Sequence, residues 1–216
     1  MTDAADIAAM DLAALIASRV CHDIISPVGA IENGLEVMAD ESSGEEMKAF
    51  ALDLIKKSAR QASAKLQYAR IAFGAAGSAG AEIDLGDAEK VARGFIANEK
   101  PDLAWEAPRA LMPKNRVKLL LNLLLMSLGS IPRGGKISVV VGPDVSVPTF
   151  TITCTGPSPR IPANAEALLA GTIEGHGADA HIIQPIYTGL LARAAGMSIK
   201  IEKTDDGVIF LASPAA

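Results

Sequence analysis

The chain has 216 residues, half of them hydrophobic, and a formal net charge of −5, which excludes an intrinsically disordered protein and predicts one large domain or two small ones. Aromatic residues make up only 4% of the sequence, so the core must be aliphatic and few rings can stack on nucleic-acid bases. The acidic balance also argues against nucleic acids and anionic membranes as partners, because binding to phosphate rests on accumulated positive charge.

The cysteines, the N-terminal residues and the apolar runs all bear on whether the protein is cytoplasmic, exported or inserted in a membrane. Cys21 and Cys154 are far apart and fit no metal-binding or redox spacing. The N-terminal residues carry acids where a secretion signal needs lysine or arginine. The longest uncharged apolar run, 119–131, is shorter than the roughly 20 residues that a membrane span needs. We therefore expect a cytoplasmic protein without a disulfide, a metal centre or a membrane segment.

The first predicted element is one long amphipathic helix, from about residue 6 to residue 39. Apolar residues recur along it at spacings of three and four, which is the helical period. These residues are Leu12, Ile16, Val20, Ile24, Val28, Ile31, Leu35 and Met38. Pro27 should kink the helix without ending it, because the apolar stripe continues in register beyond the proline.

A second helix is predicted after a short polar turn. Ser43 followed by Glu46 has the spacing of a capping box at its start, and the helix should run to about Phe73 and end at Gly74. Its expected buried face consists of Met47, Phe50, Leu54, Ala62, Leu66 and Ala69. A hairpin of two such helices cannot cover both apolar stripes, whereas a second copy would do so in a four-helix bundle. We therefore expect a homodimer.

The small-residue segment 76–81 has the composition of a linker. It divides the chain into a helical hairpin, residues 1–75, and a second domain, residues 82–216. The second domain is predicted to be an α+β layer sandwich. Its expected helices span about 84–98, 113–128 and 186–195, and its expected strands span about 103–106, 136–141, 149–154, 197–202 and 208–212.

The side chain that points to a chemical function is His22. At about 100° per residue it lies roughly opposite the apolar stripe of the first helix, so the imidazole should face solvent. The adjacent Asp23 can hold a proton on one ring nitrogen and so present the other as a nucleophile. This pair suits a phosphoryl acceptor. The alternative is an ordinary exposed histidine, because short motifs also occur by chance.

A small, polar surface should surround His22 and admit a partner. Arg19 lies on its flank and could offset the charge of a phosphoryl group. The residues that share the direction of His22 are Ser18, Ser26, Gly29 and Asn33. On the second helix, the residues expected to complete a docking groove are Leu66, Tyr68, Arg70 and Phe73. Of these, Leu66 and Phe73 are equally suited to the core.

The string from His22 to Pro27, HDIISP, resembles the phosphoacceptor box of sensor histidine kinases. In that box a histidine is followed by an acid and, five positions after the histidine, by a proline, on the first helix of a dimerising hairpin. The second half of the chain is similar to the ATP-binding domain of these kinases, of the Bergerat or GHKL type. The similar stretches are Asn122-Leu123-Leu124 at the start of the Asn box, Arg133 to Ile137 after it, and Gly196 with Met197 to Glu202 at the closing strand. The resemblance implies a kinase-type α/β sandwich.

Three departures from this pattern imply a degenerate domain that does not bind ATP. Met126 stands where the kinases have a magnesium-ligating asparagine, and a thioether is a poor ligand for a hard cation. The stretch Cys154 to Ser158 lacks the carboxylate and the second glycine that hold adenine. The stretch His181 to Pro185 lacks the glycines and free amides of a phosphate-binding lid.

An acceptor histidine on a dimeric hairpin, beside a kinase-like domain without an ATP site, is similar in design to the ChpT family of bacterial histidine phosphotransferases. The similarity includes the stretches 15–24, 68–74 and 190–196. It implies that His22 takes a phosphoryl group from the receiver domain of a CckA-type hybrid kinase and passes it to response regulators of the CtrA and CpdR type. The chain would bind no cofactor, and magnesium would come with the receiver. The alternatives are an atypical ATP-dependent histidine kinase and a non-catalytic scaffold that binds receivers.

Three further candidates are weaker. The stretch Gly129 to Lys136 lacks the Gly-Lys-Ser/Thr ending of a phosphate loop, which favours a turn before a strand. Cys21 is expected to be half-buried in packing. Four potential metal ligands lack metal-binding spacing in a glycine-rich stretch, which favours a mobile loop. They are Glu174, His176, Asp179 and His181.

Overall fold

The computed structural model describes residues 9–74, 81–172 and 182–215. Two long helices, α1 (Ala9–Ala39) and α2 (Glu45–Ala72), pack side by side as a hairpin. Helix α1 passes through Pro27 without ending, as the continuous apolar stripe predicts. The two predicted helices are therefore confirmed.

The turn between these helices is built differently from the expected capping box. Gly44 is the N-cap of α2, and no side chain bonds to the first turn of the helix. The Asp40 carboxylate instead accepts hydrogen bonds from the Ser42 backbone N–H at 2.8 Å and the Ser42 hydroxyl at 2.7 Å. These bonds lower the pKa of Asp40. The Ser43 hydroxyl points to the same carboxylate, at 3.5 Å, because a charged acceptor attracts it more than the helix amides do.

The second part of the chain is a five-stranded sheet with helices packed against it. The strands are β2 (Pro101–Glu106), β4 (Gly135–Val141), β5 (Phe150–Thr155), β6 (Met197–Lys203) and β7 (Gly207–Pro214), in the order β2–β4–β5–β7–β6. Strands β2 and β4 are parallel, and the other neighbours are antiparallel. Buried and partly exposed residues alternate along β4 and β5, which is typical of a sheet covered on one face.

The helices of this part are α3 (Leu85–Ile96), α4 (Lys114–Leu128), α5 (Ala165–Ala170) and α6 (Ile183–Ala194). A small two-stranded sheet pairs β1 (Glu82–Asp84) with β3 (Leu111–Pro113). The sequence analysis missed β1, β3 and α5, because elements of three to six residues are too short to show a period. A helical hairpin followed by an α/β sandwich is confirmed as the fold class.

The hydrophobic core runs without a break from the sandwich into the end of α2. Tyr68 and Ala72 belong to the same buried cluster as Phe95 and Leu121. The Tyr68 hydroxyl donates to the Leu121 carbonyl at 2.6 Å, and burial raises the pKa of this phenol well above its usual value. Buried packing and hydrogen bonds thus hold the hairpin against the sandwich at the C-terminal end of α2.

Towards its turn, the hairpin leaves much of its apolar surface uncovered. Met47, Phe50 and Leu66 are 54%, 68% and 51% exposed, so the expectation that they are buried is wrong within a single chain. Cys21 is exposed instead of half-buried. Met47 and Phe50 stay exposed because the sandwich covers only the C-terminal end of α2, and Leu66 stays exposed because it lies on a different side of that end from the buried Tyr68. On α1, the stripe residues that stay exposed are Val28, Leu35 and Met38.

Judged by length and composition alone, the segment Met10–Ala39 of α1 could cross a bilayer. It is longer than the uncharged run that the sequence analysis considered. Only 6% of the most apolar window is buried inside the chain. A helix exposed in this way needs a partner for its apolar side, in protein or in lipid.

Several sequence predictions fall outside the described residues. They are residues 76–80 of the expected linker and the four potential ligands Glu174, His176, Asp179 and His181. The division of the chain at 75 and 82 stays a prediction. Among the residues that the structure does describe, no cluster of three or more His, Cys, Asp or Glu side chains could hold a metal ion.

Candidate functional site

His22 lies on the side of α1 that faces away from α2, and its side chain is 61% exposed. The side of α1 that faces α2 carries Pro27 and Gly34, which are buried. A side chain added at Gly34 would collide with Ile55 of α2, so the two helices approach closely there. The exposure of His22 predicted from the helical period is therefore confirmed.

Asp23 links His22 to Arg19. Its Oδ1 lies 3.4 Å from Nδ1 of His22, and its Oδ2 accepts a hydrogen bond from Nε of Arg19 at 3.0 Å. The Arg19 and Asp23 side chains are only 21% and 25% exposed. The ion pair joins adjacent turns of one helix, where such pairs are favourable. Asp23 is thus held in place to accept a hydrogen bond from Nδ1–H of His22 and to orient the ring.

The surface around His22 is small and polar, as predicted. Ser18, Ser26 and Asn33 are exposed, and Gly29 is half-buried. A side chain added at Gly29 would meet no atom within 4 Å, so the space in front of the helix is open there. Together with the exposure of His22, this open space leaves room for a partner on this side of α1.

The predicted groove residues of α2 divide into two groups. Arg70 and Leu66 are exposed. Tyr68, by contrast, is 1% exposed, and its ring centroid lies 4.6 Å from that of Phe95. The prediction that Tyr68 contacts a partner is therefore wrong, because the sandwich packs over this side of α2. Phe73 is half-buried, with its ring centroid 5.7 Å from that of Tyr187.

Asn122, the residue that resembles the start of the Asn box, is fully buried. Its amide nitrogen donates to the carbonyls of Ala72 and Lys118 at 2.9 and 2.8 Å. Its Oδ1 accepts a hydrogen bond from Nε2 of Gln184 at 2.7 Å. All of these partners belong to the chain itself, so Asn122 serves the structure of the protein. Met126, at the place of the expected magnesium ligand, is 6% exposed.

A cleft of about 680 Å³ lies between α1 and the sandwich. Its charged lining consists of Arg19 and Asp23 from α1, Lys65 from α2, and Glu99, which follows α3. Its apolar lining includes Phe95, Leu125, Met126, Leu128, Leu168 and Ile182. Sequence analysis missed Lys65 and Glu99, because no local pattern relates them to a histidine more than 40 residues away.

Comparison with known proteins places the chain in a family of known fold. The family of histidine phosphotransferase C-terminal domains matches residues 85–207, which form the sandwich. A solved structure described as a bacterial phosphotransferase superposes with a TM-score of 0.88 at 49% identity, over 98% of this chain and 100% of that one. The histidine kinase AdeS of Acinetobacter baumannii is 11% identical, with a TM-score of 0.43 over 90% of this chain.

The fold and the matches define the class of the protein, a protein histidine phosphotransferase. The chain is also 52% identical to the protein phosphotransferase ChpT of Brucella abortus (strain 2308), over 95% of this chain and 97% of that protein. It belongs to the ChpT family. The protein is therefore a phosphotransferase of a phosphorelay.

Proposed function

We propose that His22 is the phosphoacceptor of this phosphorelay. The observation that carries the proposal is an imidazole exposed at 61%, with a fixed carboxylate 3.4 Å from Nδ1. The donor would be the receiver domain of a CckA-type hybrid kinase, and the acceptors would be response regulators of the CtrA and CpdR type. These partners rest on membership of the ChpT family.

The transfer needs little covalent help from the protein. Nε2 of neutral His22 attacks the phosphorus of a receiver's aspartyl phosphate. The P–N bond forms as the acyl P–O bond breaks, and the receiver's aspartate leaves as a carboxylate. The ring then carries a positive charge, which Asp23 balances while it holds the Nδ1 proton. The same steps in reverse pass the group to a second receiver without consuming water.

The remaining demands are geometry and charge compensation. Arg19 lies beside the site and would offset part of the phosphoryl charge. Magnesium would be supplied by the receiver. We place the reaction in the cytoplasm, where free thiols such as Cys21 stay reduced.

The hairpin offers two apolar sides for two different partners. At 100° per residue, Val28 and Leu35 project in one direction from α1, and Leu52 and Leu66 project in one direction from α2. In the hairpin, these two directions lie on the same side. All four are exposed in the single chain, at 40% or more. We infer that this side packs against a second copy and forms a four-helix bundle.

The opposite side of the hairpin carries the sandwich near His22 and exposes Met47 and Phe50 near the turn. Ser26 and Asn33 border this side on α1. A receiver docked here would reach His22 while it buries the Phe50 ring. We infer that this side is the docking surface for receivers.

The test is to incubate the chain with a receiver that carries labelled phosphate. The wild type should gain acid-labile, base-stable label, and His22→Ala should gain none, because the nucleophile is gone. His176→Ala is the matched control and should be labelled like the wild type. Thermal unfolding of the three proteins shows whether the fold is intact.

The other interpretations of the sequence give different results in this experiment or in a parallel incubation with labelled ATP. Label on a folded His22→Ala protein would contradict the proposal. Receiver binding without any label on the wild type would establish a scaffold. Label gained directly from ATP would establish an atypical kinase.

A further inference from the structure

Four charged side chains from three separate parts of the chain meet at the cleft between the hairpin and the sandwich. Arg19 and Asp23 come from α1, Lys65 from α2, and Glu99 from the segment that follows α3. They are the charged residues among the described residues that line this cleft. Asp23 and Lys65 also share a narrow crevice beside it, lined by Phe95.

Glu99 interacts electrostatically with both helices of the hairpin. Burial raises the pKa of this half-buried carboxyl, the Lys65 ammonium lowers it, and the Asp23 carboxylate raises it. The cleft therefore brings two basic and two acidic side chains together, and Glu99 interacts with one of each. Interactions of this kind are stronger here than at an open surface, because the apolar lining excludes part of the water.

We propose that Glu99 is a positioning residue for phosphotransfer, which restrains the Lys65 ammonium and so leaves the Asp23 carboxylate to Arg19 and His22. The proposal rests on the assignment of His22 as the phosphoacceptor. It adds a contribution from the sandwich to the chemistry of the hairpin.

The reason lies in the two oxygens of Asp23. Oδ2 is bonded to Arg19, and Oδ1 is the oxygen that faces Nδ1 of His22. An unrestrained Lys65 ammonium would compete with the imidazole for Oδ1, since both are donors for the same acceptor. It would also neutralise the charge that stabilises the ring when the ring becomes positive during transfer.

The buried contacts at the end of α2 make this restraint possible. The Tyr68 hydroxyl and the Asn122 amide bond the hairpin to the sandwich. Phe95, on the helix that precedes Glu99, packs against Tyr68. These contacts hold the end of α3, and with it the segment that carries Glu99, against the hairpin. In this way the sandwich sets the charge beside His22.

The test measures the rate of transfer from a phosphorylated receiver to four proteins: the wild type, Glu99→Gln, Lys65→Met and the double variant. Glu99→Gln should slow transfer about fivefold, because the ammonium is released towards Asp23. In the Lys65→Met background the same change should alter the rate less than twofold, since there is no ammonium to restrain. Glu89→Gln is the matched control, because Glu89 pairs with Arg93 on α3 outside the cleft, and it should leave the rate unchanged.

A pH profile separates positioning from a merely structural role. The charged groups that line the cleft with Glu99, among the described residues, are Arg19 and Asp23 from α1 and Lys65 from α2, and of these Lys65 and Asp23 act on the Glu99 carboxyl. Wild-type transfer should slow as falling pH protonates Glu99, and Glu99→Gln should lack that component of the profile. Both proteins should unfold at the same temperature.

Two results would overturn the proposal. One is a Glu99→Gln rate equal to that of the wild type, and the other is an equal loss of rate with and without Lys65. If label still depends on His22 in these cases, only the role of Glu99 is refuted. If the wild type gains no label, the assignment of His22 fails as well.

Discussion

The side-chain amide of Asn122 donates a hydrogen bond to the backbone carbonyl of Ala72, at 2.9 Å, across the boundary between the sandwich and the hairpin. Asn122 is fully buried, and Gln184 donates to its Oδ1. The residue that resembles part of a nucleotide pocket thus joins α2, α4 and α6. Hydrogen bonds inside a buried network of this kind are stronger than in water, so the loss of one member is costly.

Replacement of Asn122 by Ala should lower the free energy of unfolding by about 2–4 kcal/mol, because it removes buried hydrogen bonds and leaves the Gln184 amide without its main acceptor. The measurement is urea denaturation of both proteins. Asn98→Ala is the control, since Asn98 is exposed and makes one weak bond to Gly94 at 3.4 Å. A loss below about 0.5 kcal/mol for Asn122→Ala would show that the network contributes little.

Stability should fall at alkaline pH because of Cys154. This thiol is fully buried, and burial raises its pKa to about 11. The pKa of the Cys154 thiol is higher in the folded chain than in the unfolded chain. The contribution of the buried, neutral thiol to the stability of the fold is therefore complete below about pH 9 and is lost as the pH rises towards 11. The loss should reach about 2 kcal/mol. The buried Tyr68 hydroxyl acts in the same direction at higher pH, because its pKa is also raised.

Urea denaturation between pH 8 and pH 10.5 measures this loss. Cys154→Ala should show a flatter dependence on pH over this range, whatever its stability at neutral pH. Cys21→Ala, which removes an exposed thiol, should keep the wild-type slope. If the free energy of unfolding depends on pH equally in all three proteins, groups other than Cys154 cause the loss of stability at alkaline pH.

The wild-type chain should have the mass of a dimer in solution, and Leu66→Glu should dissociate it. A carboxylate in an apolar interface loses its hydration without gaining a partner, which should weaken dimerisation on the order of 100-fold or more. Light scattering coupled to size exclusion measures the mass. Leu111→Glu places the same charge on an equally exposed leucine of the sandwich and should leave the dimer intact. A monomeric wild type would refute the proposed bundle.

Phe50→Ala should slow phosphotransfer from a receiver about fivefold or more, because an exposed aromatic ring near the centre of an interface contributes strongly to binding. The unfolding temperature and the dimer mass should not change, since the ring is 68% exposed in the chain. Val147→Ala removes an apolar side chain of similar exposure from the loop between β4 and β5 and serves as the control. If both variants transfer at the wild-type rate, receivers dock elsewhere.

Some features of the fold were predictable because they are local. Helices α1 and α2 follow from a period that recurs over many turns, and this period also places His22 away from the stripe. Strands β1 and β3 are three residues each, and they form because two distant segments pair. No window of the sequence contains that information.

Burial on the hairpin was harder to predict. Tyr68 and Phe50 both occupy helical positions near the apolar side of α2, yet one is 1% exposed and the other 68%. The difference arises because α4 and Phe95 pack over Tyr68 at the end of α2, whereas no described part of the chain covers the side of α2 that carries Phe50. The helical period determines the direction of a side chain, whereas the tertiary contacts determine whether that direction is covered.

The sequence by itself therefore determined the helical hairpin and the place of His22 and Asp23 on it. It also determined that the side of α1 around His22 is exposed and polar, because neighbours on a helix have fixed relative positions. Only the tertiary structure decided that Tyr68 is a core residue, that Asn122 joins the two parts of the chain, and that Lys65 and Glu99 lie in the same cleft as Asp23. These residues are far apart along the chain, and it is the packing of α2 against α3 and α4 that brings them together.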